Sequence, residues 1–172
     1  MSKRRRGEIE RALAKRLKKE GGRIKEKYED ELPKSRGYRL YIRQNEESEP
    51  IAIGDVDVWL KSTKNEELVL IELECGGHPA HNTAKILHYI KKGIDYKDKE
   101  IKRNIKVIQL FDKSKRSELK KVCDFIGKNY INGYHEDSEI DAYYFSDEVE
   151  IPFSNVDKAS DEMYQKVTEL LL

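Results

Sequence analysis

The sequence predicts an α/β domain in which a mixed sheet is flanked by helices. Hydrophobic patterns along the chain follow the order helix, three strands, helix, strand, helix, strand, helix. A short polar segment separates the second and third strands, which is typical of an antiparallel hairpin. Helical crossovers join the later strands, and such connections favour parallel neighbours.

The composition is that of one folded domain rich in charged residues. A length of 172 residues fits a single domain, and 37% hydrophobic residues can fill one core. The 34 basic and 33 acidic residues nearly cancel, which excludes the one-sided charge of a disordered chain. No apolar stretch approaches a membrane span, so we expect a cytoplasmic protein without a membrane partner. Lysine (23) and glutamate (21) far outnumber glutamine (3), which indicates a thermophilic source.

The first two elements are a helix and a half-buried strand. The helix is predicted over residues 7–20, because apolar residues recur at four-residue spacing from Ile9 to Leu17. Residues 38–42 alternate apolar and polar side chains, which predicts a strand with one buried face.

The next two strands form the predicted hairpin. The first spans Ile51 to Leu60, where apolar and polar residues alternate. The second spans Leu68 to Cys75 and is almost continuously apolar. If the chain turns about Lys64-Asn65, facing residues have numbers that sum to 129.

The second half of the chain alternates helices and strands. Helices are predicted where apolar residues follow the helical period, and strands where short apolar runs occur between polar segments. In chain order the elements are a helix over 80–92, a strand over 104–111, a helix over 114–130, a strand over 140–145 and a helix over 159–172.

Four carboxylates interrupt the hairpin strands, at Asp55, Asp57, Glu72 and Glu74. The predicted register places Asp57 opposite Glu72 and Asp55 opposite Glu74, so negative charges would converge on one patch. Like charges at this spacing raise each other's pKa or recruit a cation. Oxygen ligands suit Mg²⁺ or Mn²⁺ better than zinc. The alternative, that Asp55 and Glu74 lie in water at strand ends and Asp57 pairs with Lys61, stays open.

These strands resemble the active-site motifs of the PD-(D/E)XK nuclease superfamily. Val56-Asp57-Val58-Trp59 looks like its second strand, which carries an acidic residue, and Ile71-Glu72-Leu73-Glu74 looks like its third, which carries Glu-x-Lys. The opening Arg6-Gly7-Glu8-Ile9-Glu10-Arg11 is similar to the first helix of archaeal Holliday-junction resolvases, which bears a glutamate close to the metal. The resemblance implies a restriction endonuclease-like fold in one domain, 1–172, with a core at about 5–112 and a C-terminal α/β extension at 113–172.

Two positions depart from the family pattern. Val56 stands in place of the name-giving proline, and Glu74 replaces the lysine that orients or activates the attacking water. Some restriction enzymes of the superfamily have a Glu-x-Glu version. Lys85 offers a second source of an ammonium group, because it shares one face of the following helix with His81 and His88. A lysine on a solvated face is the alternative interpretation.

The resemblance implies a divalent-metal-dependent DNA endonuclease. Its implied catalytic residues are Asp57, Glu72, Glu74 and Lys85, and the implied ligands of Mg²⁺ or Mn²⁺ are Asp57, Glu72, Glu10 and Asp55. Glu10 enters because it borders the buried stripe of the first helix, although a surface glutamate would fit the same position. A catalytically impaired module of the same fold, which binds nucleic acid or a partner without cutting, is the competing function.

Charge is distributed unevenly, which favours DNA as the partner. Residues 3–25 carry a net charge of +8 and residues 135–172 one of −9, by the formal charges of the sequence. A basic helix attracts polyanions, although a solvated basic face would give the same pattern. A homodimer is left open. The candidate nucleic-acid-binding residues are Arg11, Lys15, Lys18, Lys19 and, for stacking on bases, Trp59.

Overall fold

A computed structural model describes residues 3–19, 22–28, 38–62, 64–76, 78–94, 104–114, 117–134 and 140–172. It confirms the α/β class. The predicted first helix is present, although its expected last residue, Glu20, lies outside the described residues. The elements are α1 (Lys3–Lys19), α2 (Gly22–Lys27), β1 (Tyr38–Ile42), β2 (Ile51–Val56), β3 (Val58–Ser62), β4 (Glu67–Glu74), α3 (Pro79–Lys92), β5 (Gly93–Ile94), β6 (Asn104–Asp112), α4 (Ser117–Ile126), which continues as a π-helical turn (Gly127–Ile131), β7 (Asp141–Val149) and α5 (Val156–Leu171).

The strands form two sheets. The larger has the order β3-β4-β6-β7, with an antiparallel β3/β4 pair and parallel pairs β4/β6 and β6/β7. The smaller has the order β2-β1-β5 and is antiparallel. The predicted hairpin register is confirmed, because Val58 faces Ile71 and Trp59 faces Leu70.

The long strand predicted from Ile51 to Leu60 is instead divided at Asp57 between the two sheets. Asp55 faces Arg39 of β1, so the predicted pairing of Asp55 with Glu74 is wrong. The β1/β2 register shifts next to Gly54, whose φ of 143° is a conformation that L side chains rarely adopt.

Each face of the larger sheet is covered by different helices. Alternate residues of β4 point to opposite faces, as the pleat of a strand requires. Val69, Ile71 and Leu73 belong to the core that includes α1, α2 and α5. Leu68 and Leu70 belong to the core that includes α3 and β1. The next two residues on the α3 side are Glu72 and Glu74, so both carboxylates enter the interior beneath α3.

Helix α1 packs with α5 on the sheet face opposite α3. Arg16 of α1 donates to Ser160 near the start of α5, and Lys27 of α2 donates to the carbonyl of Leu171 at its end. Helix α5 follows the end of β7, which is parallel to β4 through β6. At the opposite edge, Tyr28 after α2 donates to Glu67 at the start of β4. None of the helices in the described part of the chain is long and apolar enough to cross a bilayer.

Candidate active site beside helix α3

Two acidic side chains meet where β3 begins and β4 ends. Glu72 is fully buried, and Asp57 lies at the junction between β2 and β3. Oδ2 of Asp57 accepts a hydrogen bond of 2.9 Å from the backbone N–H of Leu73. This bond ties the Asp57 carboxylate to the strand that carries Glu72, as the predicted register requires.

Lys85 of α3 reaches the Glu72 carboxylate from the helix above the sheet. Its Nζ lies 2.8 Å from Oε1 of Glu72 and 2.6 Å from the carbonyl oxygen of Asp55, with a longer contact of 3.5 Å to Oδ1 of Asn82. Only 7% of the Lys85 side chain is exposed. The solvated lysine considered from the sequence is therefore wrong, and the structure places the ammonium group beside Glu72.

Gly54 makes room for the Lys85 side chain. A Cβ atom added to Gly54 would lie 2.8 Å from Cδ of Lys85, closer than side-chain carbons approach each other. The aliphatic part of Lys85 thus passes directly over the backbone of β2. A residue without a side chain is required at this crossing.

The electrostatics of the site are dominated by buried negative charge. Burial raises the pKa of Glu72 well above its ordinary value, and the charge of Asp57 raises it further. The ion pair with Lys85 opposes this shift without cancelling it. A cation added beside the two carboxylates would therefore stabilise their ionised forms.

Glu74 belongs to a second set of polar contacts on the same face. Its Oε1 accepts hydrogen bonds of 3.0 Å from Nδ2 of Asn82 and from Nε2 of Gln109. Oε1 of Gln109 in turn accepts from the hydroxyls of Thr83, at 2.9 Å, and Tyr144, at 2.8 Å. Glu74 and Gln109 are both buried. The carboxylate that replaces the motif lysine thus contacts amides of α3 and β6.

Sequence reasoning missed these amide and hydroxyl partners. One signal was present, because Gln109 is a polar residue within the apolar strand Asn104–Phe111, just as Glu72 is in its own strand. Asn82 and Thr83 gave no comparable signal, since polar residues on a helix are usually solvated.

Asp55 and Glu10 are the two other acidic residues predicted as metal ligands. The Asp55 carboxylate accepts two hydrogen bonds from the guanidinium of Arg39, at 2.8 and 3.2 Å, and is half exposed. Only the backbone carbonyl of Asp55 contacts Lys85. Glu10 is half-buried on α1, which packs against the other sheet face.

Trp59 does not provide a stacking platform. It is only 6% exposed and packs in the core beneath β1, with its ring centroid 5.2 Å from that of Tyr38. The prediction that it stacks on bases is wrong, because the β1–β2 hairpin covers this face of β3. The predicted basic residues Arg11, Lys15, Lys18 and Lys19 are all exposed on α1.

The donor set suits a hard divalent cation. Mg²⁺ typically takes one or two protein carboxylates and keeps several waters, so Asp57 and Glu72 are of the right chemical type. Among the described residues, no group of three or more His, Cys, Asp or Glu side chains is arranged to hold a metal ion. Any ion bound here would thus depend on water or substrate oxygens to complete its coordination.

No family model matches the chain, and neither a curated protein nor a solved structure does. What the site can do follows from its own groups: two carboxylates, one buried ammonium and a set of buried amides.

Proposed function

We propose that this chain is a divalent-metal-dependent DNA endonuclease of the PD-(D/E)XK superfamily, with a restriction endonuclease-like fold. The observation that supports it is the buried contact of 2.8 Å between Lys85 Nζ and Glu72 Oε1. An acidic pair next to a fixed ammonium group is the combination that the superfamily motif supplies. Here the ammonium comes from α3, because Glu74 occupies the usual position of the lysine.

Asp57 and Glu72 would hold the cation, Mg²⁺ or Mn²⁺. A divalent ion there would supply Lewis-acid stabilisation of charge on a phosphodiester oxygen. The raised pKa of Glu72 fits this role. Lys85 alone does not offset the effects of burial and of the Asp57 charge on this pKa, so a bound cation would stabilise the ionised carboxylates.

Lys85 would act on the phosphate or on the attacking water. An ammonium group has three N–H donors, and two of them make the short contacts to Glu72 and to the Asp55 carbonyl. The third points to Asn82 at 3.5 Å, a weak contact that a phosphate oxygen or a water could replace. Preorganised donors of this kind stabilise charge that develops during reaction.

The exposed face of α1 would hold the DNA backbone. Its exposed basic residues offer contacts to phosphates, which position a duplex without reading its sequence.

A binding module of the same fold is the second candidate. The contacts of the two glutamates favour it, because Glu72 is already paired with Lys85 and Glu74 already accepts hydrogen bonds from two amides. Such a network could persist as structure after catalysis is lost. The two functions differ in whether the carboxylates bind a divalent ion and whether DNA is cut.

A cleavage assay separates the two candidates. We expect the protein to cut at least one of a panel of linear, supercoiled and branched DNAs in Mg²⁺ or Mn²⁺, and none in EDTA. Titration with Mn²⁺ should show binding that Asp57→Asn weakens. DNA binding without cleavage of any substrate, together with no Mn²⁺ binding, would favour the binding module.

A further inference from the structure

The first half of α3 is attached to the sheet at three nearby residues. Asn82 donates to Glu74 of β4, Thr83 donates to Gln109 of β6, and Lys85 donates to Glu72 of β4. All three contacts lie within one helical turn. The same turn therefore carries the candidate ammonium group and two further polar contacts. These two contacts fix the height of the helix above the strands.

The chemistry of the groups allows one orientation of the Asn82 amide. A carboxylate only accepts hydrogen bonds, so the amide nitrogen must face Glu74. An ammonium group only donates, so the amide oxygen must face Lys85. The observed contacts, 3.0 Å to Glu74 and 3.5 Å to Lys85, have this polarity.

The orientation of the Gln109 side-chain amide follows from the same donor and acceptor rules. Its amide nitrogen donates to Glu74, and its amide oxygen accepts from the hydroxyls of Thr83 and Tyr144. Buried polar networks whose members are all engaged specify one arrangement, because any displacement leaves a buried group unsatisfied. Glu74 is the common acceptor that joins Asn82 to Gln109.

We propose that Glu74 is a positioning residue, which with Gln109 holds α3 at the height that brings Lys85 to Glu72. This inference rests on the proposed function for its catalytic consequence. It assigns to Glu74 a role that differs from metal ligation or proton transfer. The glutamate in place of the motif lysine would then be the structural partner of a lysine that acts from the helix.

The position of Lys85 can be observed without any cleavage assay. In protein labelled with ¹³C-lysine, the Cε signal of Lys85 is identified by its loss in Lys85→Arg. We expect Glu74→Ala and Asn82→Ala each to shift or broaden this signal, and the double variant to resemble either single one. Glu74→Gln should leave the signal in place, because one amide oxygen can accept both hydrogen bonds.

A matched control removes a buried carboxylate that does not contact α3. Asp112 at the end of β6 is buried and accepts from the backbone N–H of Phe153. Asp112→Ala should leave the Lys85 signal unchanged. If Glu74→Ala fails to fold, Gln109→Ala and Glu74→Gln decide the matter. Gln109 contacts Glu74, Thr83 and Tyr144 rather than Lys85, so the first variant must move the signal and the second must not.

Kinetics and metal binding give the second readout. We expect Glu74→Ala to lower the cleavage rate by about 10- to 100-fold, as loss of a supporting residue does, with unchanged Mn²⁺ affinity. Glu74→Gln should restore the rate.

Three outcomes separate the two proposals. A Lys85 signal that stays in place in both Glu74→Ala and Asn82→Ala would overturn the positioning role. Loss of Mn²⁺ affinity in Glu74→Gln would overturn it too, and would make Glu74 a ligand. Signals that move as expected in a protein that cuts no DNA would uphold the positioning role and refute the nuclease.

Discussion

The ammonium nitrogen of Lys85 on α3 lies 2.8 Å from Oε1 of Glu72 on β4, with 7% and 0% of the two side chains exposed. Two charges at this depth are stable only together, because removing one leaves the other buried without compensation. The pair thus joins the helix to the acidic strand, and changes on either side are expected to affect both.

Gly54→Ala should displace Lys85 from Glu72. The new Cβ would lie 2.8 Å from Cδ of Lys85, so the lysine or the strand must move. We expect lower stability and a large loss of Mn²⁺-dependent cleavage, measured by urea unfolding and by plasmid cleavage.

The control for this change is Gly76→Ala. Gly76 also has a positive φ, of 132°, but a Cβ there would meet nothing within 4 Å. It therefore reproduces the backbone strain without the contact to Lys85. Equal losses of activity in the two variants would show that the crossing at Gly54 has no specific role.

Asp57→Asn should weaken Mn²⁺ binding without destabilising the metal-free protein. Asparagine can still accept the hydrogen bond from Leu73, while loss of the charge relieves repulsion with Glu72. We expect the free energy of unfolding to be unchanged or raised by up to about 1 kcal/mol.

Asp55→Asn is the matched control. The Asp55 carboxylate is half exposed and pairs with Arg39, so its loss should cost at most about 1 kcal/mol and leave Mn²⁺ affinity unchanged. Weaker Mn²⁺ binding by Asp55→Asn, measured by titration calorimetry, would return Asp55 to the list of ligands.

The stability contributed by Glu72 should fall as pH rises. Because burial and the charge of Asp57 raise the pKa of Glu72, the folded protein holds this proton more tightly than the unfolded chain, whose pKa is about 4.3. The difference in unfolding free energy, wild type minus Glu72→Gln, should therefore decrease from about pH 4 to about pH 7. Urea titrations in metal-free buffer measure it.

Asp124→Asn should show the opposite trend. Burial opposes ionisation of Asp124, but hydrogen bonds from Lys120 and Ser146 outweigh it and lower its pKa. The difference, wild type minus Asp124→Asn, should then increase as pH rises through the acidic range to about pH 5, because the unfolded pKa is about 3.9, and should stay level above it. Parallel trends for the two variants would contradict the assigned electrostatics of Glu72.

Charge reversal on α1 should weaken DNA binding regardless of sequence. Lys15→Glu with Lys18→Glu removes two exposed cations, so we expect lower affinity and a flatter dependence on salt, by about one unit of slope per lost phosphate contact. Lys158→Glu on α5, also exposed, is the control and should change little. An unchanged salt slope in the α1 variant would place DNA elsewhere.

The element order and the hairpin register could be predicted because they depend on local patterns. Apolar alternation and a short polar turn together place Val58 opposite Ile71, and from this follows the proximity of Asp57 and Glu72. The position of Lys85 on the same helix face as His81 and His88 could also be predicted. Its contact with Glu72 was not, because the angle of a helix above a sheet depends on packing along its whole length.

Two errors have tertiary causes. Asp55 was expected to face Glu74, but the strand changes sheets at Asp57, and a bulge beside Gly54 has no reliable signature in one sequence. Trp59 was expected to be accessible, but β1 covers it, and which strand covers a given face is a long-range property.

The most direct measurement compares Mn²⁺-dependent DNA cleavage by wild type, Lys85→Met and Asp55→Asn under single-turnover conditions. Circular dichroism first establishes that the variants are folded. We predict that wild type and Asp55→Asn cut DNA at similar rates and that EDTA stops both. Lys85→Met should be slower by at least about 100-fold, because a donor fixed at the acidic pair is lost. Cleavage by Lys85→Met at the wild-type rate, or no cleavage by wild type on any DNA, would contradict the assignment of a nuclease site at Glu72 and Lys85.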